Sequence, residues 1–296
     1  MVTTEMGEGT SSQLSEQDFP PPAGRSRVKK ATRGGRWAAM VTTIRWWRVA
    51  AGFVGIAVVV GIWWIAALVV GSSVTLPTPA DTVGTLIHYS RHPYPTMGNT
   101  LLEDAGFSLA RILIGFAWGA IAGILIGAAM AGVKAFRWMI DPLIELSRPL
   151  PPLAFIPLLI VWFGIGELPK VLLVGMGVVP IMVVTVVAAI DAVPEEFTEA
   201  ARCLGASRRY ALLHVRLRAA LPAVITGLRL SMGLSWTSIV AVEMIAATNG
   251  LGYVILQAGN YLVTDLIFAG IVLIAVIALI LDGLLRMLHR IVNPAG

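Results

Sequence analysis

Glu195-Glu-Phe-Thr-Glu-Ala-Ala-Arg-Cys-Leu-Gly-Ala-Ser-Arg-Arg-Tyr-Ala-Leu-Leu-His-Val-Arg-Leu-Arg-Ala-Ala-Leu-Pro222 is a long polar segment set between two long apolar runs. Its local chemistry predicts two short helices rather than a membrane span. Pro194 suits a first helical position, and Glu195, Glu196 and Glu199 put negative charge near the positive end of the helix dipole. Phe197, Ala200, Ala201 and Leu204 recur at helical spacing, and the adjacent alanines keep that face flat enough for another protein surface to approach. Gly205 stops the helix, Ser207 caps the next one, and the pattern restarts at Arg208. The expectation is a small helix–turn–helix that serves as a docking element.

Composition sets the medium around it. Mean hydropathy is +0.81, 57% of the 296 residues are hydrophobic and 13% are charged, which excludes a soluble core and indicates a chain that crosses a membrane several times. The four histidines and single cysteine have no metal-ligand spacing, so no metal site and no cofactor is expected. The net charge of +5 comes from basic residues at the ends of apolar runs, where they set orientation. Nucleic acid is therefore not an expected partner; membrane lipid is.

Residues 1–48 are expected to form a disordered, basic cytosolic tail, with too few large apolar groups in their first part to offset the entropy of ordering. Arg25, Arg27, Lys29, Lys30, Arg33, Arg36, Arg45 and Arg48 precede the first apolar run and hold this end in the cytoplasm. A cleaved signal peptide is disfavoured. The run Val49–Val70 is uncharged and, at about 1.5 Å per residue, long enough to cross a hydrocarbon layer of roughly 30 Å. Gly71 to Asp104 reads as an external loop with a short helix starting near Ala80.

The remaining spans are expected at about 105–132, 149–165, 171–190, 223–247 and 266–288, giving six in a membrane domain covering 49–290 and leaving a cytosolic end, 291–296. Gly115, Gly119, Gly123 and Gly127, each four apart, form a small-residue ladder for close helix packing in lipid. The third run is short and contains Pro149, Pro151, Pro152 and Pro157, so it must be kinked or begin earlier, near Leu143. Pro180 interrupts the fourth. Helices broken at membrane depth line cavities, which makes Pro157 and Pro180 candidates for a translocation path. Of the 22 Lys and Arg, this topology puts only Arg91 and Lys170 outside and Arg111 and Arg229 within spans, so both termini belong on the cytoplasmic side.

Glu243, inside the fifth run, costs about 2.5–3.5 kcal/mol at mid-bilayer and calls for compensation. Two readings stand for it: a polar group on the substrate path, or a structural hydrogen-bonding residue. Trp236 on the same run is a candidate to face a cavity, Arg111 reaches either the headgroups or a buried acceptor, and Arg229 is expected to snorkel. Asp282 and Arg286 make an intrahelical pair. No Gly-x-x-x-x-Gly-Lys-Ser/Thr loop occurs, so ATP hydrolysis by that device is not expected of this chain, which is not read as an enzyme.

Glu199-Ala200-Ala201, three residues, Gly205, nine residues, Val215, one residue, Leu217 resembles the coupling motif of bacterial ABC-importer permeases. The family pattern usually has a proline where Arg218 stands, and Leu221-Pro222 is the nearest candidate for that role. Leu76-Pro77-Thr78-Pro79, Pro151-Pro152-Leu153-Ala154-Phe155-Ile156-Pro157, Trp162-Phe163-Gly164-Ile165-Gly166 and Gly250-Leu251-Gly252-Tyr253 resemble the permeases for aliphatic sulfonates, taurine and nitrate. The resemblance implies an all-α membrane protein with six transmembrane helices in the type I ABC-importer permease fold, located in the bacterial inner membrane. It also implies a homodimer, two cytosolic ATP-binding subunits and an extracytoplasmic substrate-binding protein. Coupling to the ATPase falls to the helices at 194–222 through Glu199, Ala200, Ala201, Gly205, Val215 and Leu217. The implied cargo is an aliphatic sulfonate or taurine, with nitrate, bicarbonate or a pyrimidine precursor as alternatives. A secondary transporter is disfavoured by the lack of an inverted repeat or paired midspan carboxylates, and an intramembrane enzyme by histidines confined to loops and helix ends.

Overall fold

The computed structural model describes residues 34–94 and 98–292, with side chains from residue 51 onward. Helices run from α1 (Gly34–Val70), α2 (Pro79–Arg91), α3 (Leu101–Gly132) and α4 (Lys134–Ser147) through α5 (Ile156–Phe163) and α6 (Glu167–Asp191). They continue with α7 (Glu195–Cys203), α8 (Arg208–Tyr210), α9 (Leu217–Ala246), α10 (Leu251–Asn260) and α11 (Thr264–Val292). Residues 1–33 of the expected tail lie outside the described residues, whereas 34–48 are already helical in α1. The chain divides into two units, Met1–Ile56 and Ala57–Gly296, and all the packing described here lies in the second.

Local signals start the helices. Thr78 caps α2 and Thr100 caps α3, each in a reciprocal box with the acid three residues on, Asp81 and Glu103. The second half of α1, apolar on every side and largely exposed, is tied to the rest through Trp63, which stacks on Phe268 at 5.3 Å and donates its indole N–H to the Pro77 carbonyl at 3.1 Å.

The glycine ladder packs against α6. A Cβ on Gly115 would lie 2.6 Å from Val174 Cβ, one on Gly119 2.8 Å from Gly175 Cα, and one on Gly127 2.8 Å from Val186 Cβ; Gly123 abuts Met182. Lipid offers no hydrophobic drive between helices, so backbone proximity of this kind supplies the van der Waals contact that holds α3 to α6. Trp118 fills the notch left by Gly175 and donates to the Val171 carbonyl at 3.2 Å. Against this pair α9 completes the core with Met232, Trp236, Ile239 and Val242, and α5 adds Ile156 and Leu159.

The third expected span is two helices. α4 and the helical stretch Pro152–Phe163, which opens as a 3₁₀ turn and continues as α5, meet at 92° across Arg148–Pro151. Pro149, Pro151 and Pro152 lack the N–H groups a continuous helix needs, and their rings push the preceding residues out of helical geometry. Counting that pair as one span gives six, and the other five are long enough to span by themselves.

The segment 194–222 corrects two expectations. Pro194 is the N-cap of α7, one position before the helix. More importantly, the second short helix is not separate. α8 passes through a π turn, Ala211–Arg216, straight into α9, making one run from Arg208 to Ala246. The residue at 218 is an arginine, which keeps its N–H and carries no ring, so nothing interrupts the helix there, and Pro222 falls inside α9 without ending it.

Candidate functional site

The right-angle break between α4 and α5 opens a cavity of about 450 Å³. Its walls are mostly apolar, among them Leu150, Pro152 and Phe155 from the break and Met176 and Pro180 from α6. Thr237 and Ser238 of α9 face them, and Arg148 is the one charged side chain in the lining. Gly177 keeps the wall thin: a Cβ there would come to 3.4 Å from Pro152 and 3.7 Å from the Ser238 hydroxyl. Pro180 has no N–H, so the Met176 carbonyl four residues earlier has no helical donor.

Of the four path candidates from the sequence, only Pro180 lines this cavity. Pro157 is exposed in the first turn of α5. Trp236 is buried in the core beside Ile112 and Ile156, its indole N–H without a partner among the described residues. Sequence reasoning missed Arg148, Thr237 and Ser238. The signal was available for Arg148, which stands directly before the proline run.

The coupling candidates gather at the other short arm. α7 ends in a Schellman turn: the N–H of Gly205 donates to Arg202 at 2.9 Å and that of Ala206 to Ala201 at 3.0 Å, with Gly205 at φ +84°. Ser207 accepts from the Tyr210 N–H at 3.3 Å and restarts the helix. Glu199, Ala200 and Gly205 are exposed, Ala201, Val215 and Leu217 half-buried where α7 packs on the π turn, and Leu204 is 90% exposed. The Arg216 guanidinium donates to the Ile190 carbonyl at 2.8 Å, pinning the π turn to the last turn of α6.

Glu243 lies in the last turn of α9 and is fully buried in a polar knot, not beside the cavity. Arg111 of α3, 2% exposed, meets it at 2.7 Å. The same guanidinium binds both oxygens of Glu167, one at 2.8 Å, and the Asn249 backbone carbonyl at 3.0 Å and side-chain carbonyl, so all five of its N–H donors have acceptors. Lys170 reaches Glu167 at 2.9 Å. The opening N–H groups of α10 complete the cluster: Gly250 donates to Asp104 at 2.7 Å, Leu251 to the Ser108 hydroxyl at 2.9 Å, and Gly252 to Glu243 at 3.0 Å. Free N–H groups at a helix start are natural carboxylate partners. The knot thus fastens α3, α6, α9 and α10 at one end of the bundle: Arg111 has buried acceptors, and the Glu243 carboxylate accepts from Arg111, Ser108 and the Gly252 N–H. Arg229, expected to snorkel, instead pairs with Asp282 at 2.9 Å, which also holds Arg286.

A bundle of five long apolar helices and one broken pair, with a cavity at the break and an exposed Glu-Ala-Ala…Gly arm, matches one family model across residues 119–294, described as the binding-protein-dependent transport system inner membrane component. The chain belongs to that family. The permease is 40% identical over 240 residues to the taurine transport system permease protein TauC of Escherichia coli, covering 81% of this chain and 87% of that one. It is 33% identical to a Bacillus subtilis protein described as an aliphatic sulfonates transport permease, SsuC, covering 79% and 83%, and 30% identical to the nitrate import permease protein NrtB of Synechocystis, covering 82% and 88%. In three dimensions it resembles a chain of the inward-facing MetNI methionine ABC transporter, with a TM-score of 0.58 at 20% identity, covering 65% of this chain and 95% of that one. The permease therefore has the all-α, type I ABC-importer fold expected from its sequence.

Proposed function

We propose that this permease forms the inner-membrane path for a small organosulfonate, taurine or a related aliphatic sulfonate. The observation that carries the substrate class is the 40% identity to the taurine permease, sustained over 81% of the chain. A cavity of about 450 Å³, apolar with few polar groups, suits a solute of that size. Two copies of the chain pair in the membrane, two separate ATP-binding subunits dock beneath them, and an extracytoplasmic binding protein delivers the solute. The excess of Lys and Arg on the α4 and α7–α8 side supports cytoplasmic termini.

Coupling runs through the α7 arm. Glu199, Ala200, Ala201 and Gly205 form the contact with the ATPase, and Val215 and Leu217 seat that arm on the π turn. When ATP closes the ATPase pair, the arms travel with it as near-rigid bodies, and the two copies rock between inward-open and outward-open arrangements about the cavity at the α4–α5 break.

The test is growth of a strain lacking this chain on taurine or another alkanesulfonate as sole sulfur source, with sulfate and, separately, nitrate as controls. Loss on sulfonates alone is the expected result. Loss on nitrate alone would replace the substrate, and the 30% identity to NrtB makes that the second reading. Uptake that persists without any ATPase would remove the importer mechanism itself.

A further inference from the structure

The cavity at the α4–α5 break is polarised, and the organosulfonate reading on which this inference rests does not by itself say how. Arg148 is its only charged lining residue and enters none of the ion pairs among the described residues. In the same lining, α6 and α9 contribute two groups that can only accept. The Thr237 hydroxyl spends its hydrogen on the Leu234 carbonyl at 2.8 Å, so toward the cavity it presents lone pairs. The Met176 carbonyl, on the same helical face as Pro180, lacks a helical donor because residue 180 has no N–H. Ser238, its hydroxyl without a hydrogen-bond partner among the described residues, is free to act either way.

We infer that Arg148 holds the anionic end of the transported solute while Thr237 and the Met176 carbonyl accept hydrogen bonds from an ammonium at its other end, making this a site for zwitterionic sulfonates rather than for simple anions. Leu150, Pro152 and Phe155 of the same lining offer apolar wall for a short carbon linker. The planar guanidinium fork can donate in parallel to two oxygens of a tetrahedral sulfonate, and an ammonium has three donors to distribute over neutral acceptors.

The test is uptake of labelled taurine and of ethanesulfonate, which lacks the amine, by the complete importer in proteoliposomes. Rates are read at saturating substrate, because the binding protein sets the half-saturating concentration. Loss of a charge-assisted contact predicts that Arg148→Gln lowers both rates about tenfold or more, with partial recovery in Arg148→Lys. Thr237→Val, nearly isosteric, lowers taurine relative to ethanesulfonate by about fivefold, a change of ratio that a general loss of folding does not produce. Equal rates for Arg148→Gln and the unaltered protein, or an unchanged ratio in Thr237→Val, overturn the assignment. The same anion-binding chemistry is available to a lipid headgroup. An Arg148→Gln defect seen only in vesicles containing phosphatidylglycerol, and absent in pure phosphatidylcholine, assigns Arg148 to lipid and also overturns it. If the unaltered importer carries neither sulfonate, the substrate reading has failed instead, and that result is visible before any variant is made.

Discussion

Gly119 of α3 lies so close to Gly175 of α6 that a single added Cβ would come within 2.8 Å of the opposing Cα and carbonyl oxygen. Neither backbone has a flexible side chain to move aside. Gly119→Ala should therefore destabilise the permease by about 1–3 kcal/mol, whereas Gly106→Ala, on the same helix with open space around it, should be close to neutral. Thermal unfolding of the purified protein in detergent compares the two. Similar behaviour of both variants would remove the close α3–α6 approach as a source of stability.

Breaking the polar knot should cost more. Arg111→Leu leaves Glu167 and Glu243 without their shared cation, and loss of one partner of a buried pair is worth about 3–5 kcal/mol. Arg229→Leu, at a pair still a third exposed to its surroundings, should cost about 1 kcal/mol or less. The difference between the two in the same unfolding assay checks the structural assignment of Glu243. An Arg111→Leu protein as stable as the parent, yet inactive in uptake, would return Glu243 to the translocation path.

At the coupling arm, Gly205→Trp meets two obstacles: a φ of +84°, and an exposed surface that a partner must approach. The variant should reach the membrane in normal amount and fail to retain the ATPase subunit on purification. Normal uptake by Gly205→Trp would sink the proposed contact.

Arg216→Met removes the bond that pins the π turn to the Ile190 carbonyl. ATPase binding should survive, because the exposed face of α7 is untouched, while uptake falls several-fold. Co-purification of the ATPase alongside an uptake assay separates the two effects; loss of both together would mean that Arg216 only supports local folding.

What the sequence disclosed depended on how far apart the partners are. Glycines four apart announce a packing face, and four prolines within nine positions announce a break, because both signals are local. The bend of 92° and the cavity beside it follow from those same prolines. The separate second coupling helix failed for a local reason too: with an arginine at 218 no ring breaks the run between the π turn and α9, and Pro222 falls in the first turns of α9, where the helix continues past it. Glu243 drew notice as a charge within an apolar run, yet its partner Arg111 is 132 positions away and its other partners are backbone N–H groups, which carry no mark in the sequence. Arg148 and Thr237 come from different helices, and only the fold brings them to one cavity.

The polar knot also has a history in time. Arg111 emerges from the ribosome well before its acceptors: Glu167 follows it by 56 residues and Glu243 by 132. At roughly 5–20 residues per second, Arg111 waits about 7–26 s for Glu243, and through that interval it is an incompletely satisfied charge at the end of an already inserted helix. The growing chain must therefore keep that end near water until α9 and the start of α10 arrive, so the knot closes only after α9 has emerged, with α11 the one span still to be added.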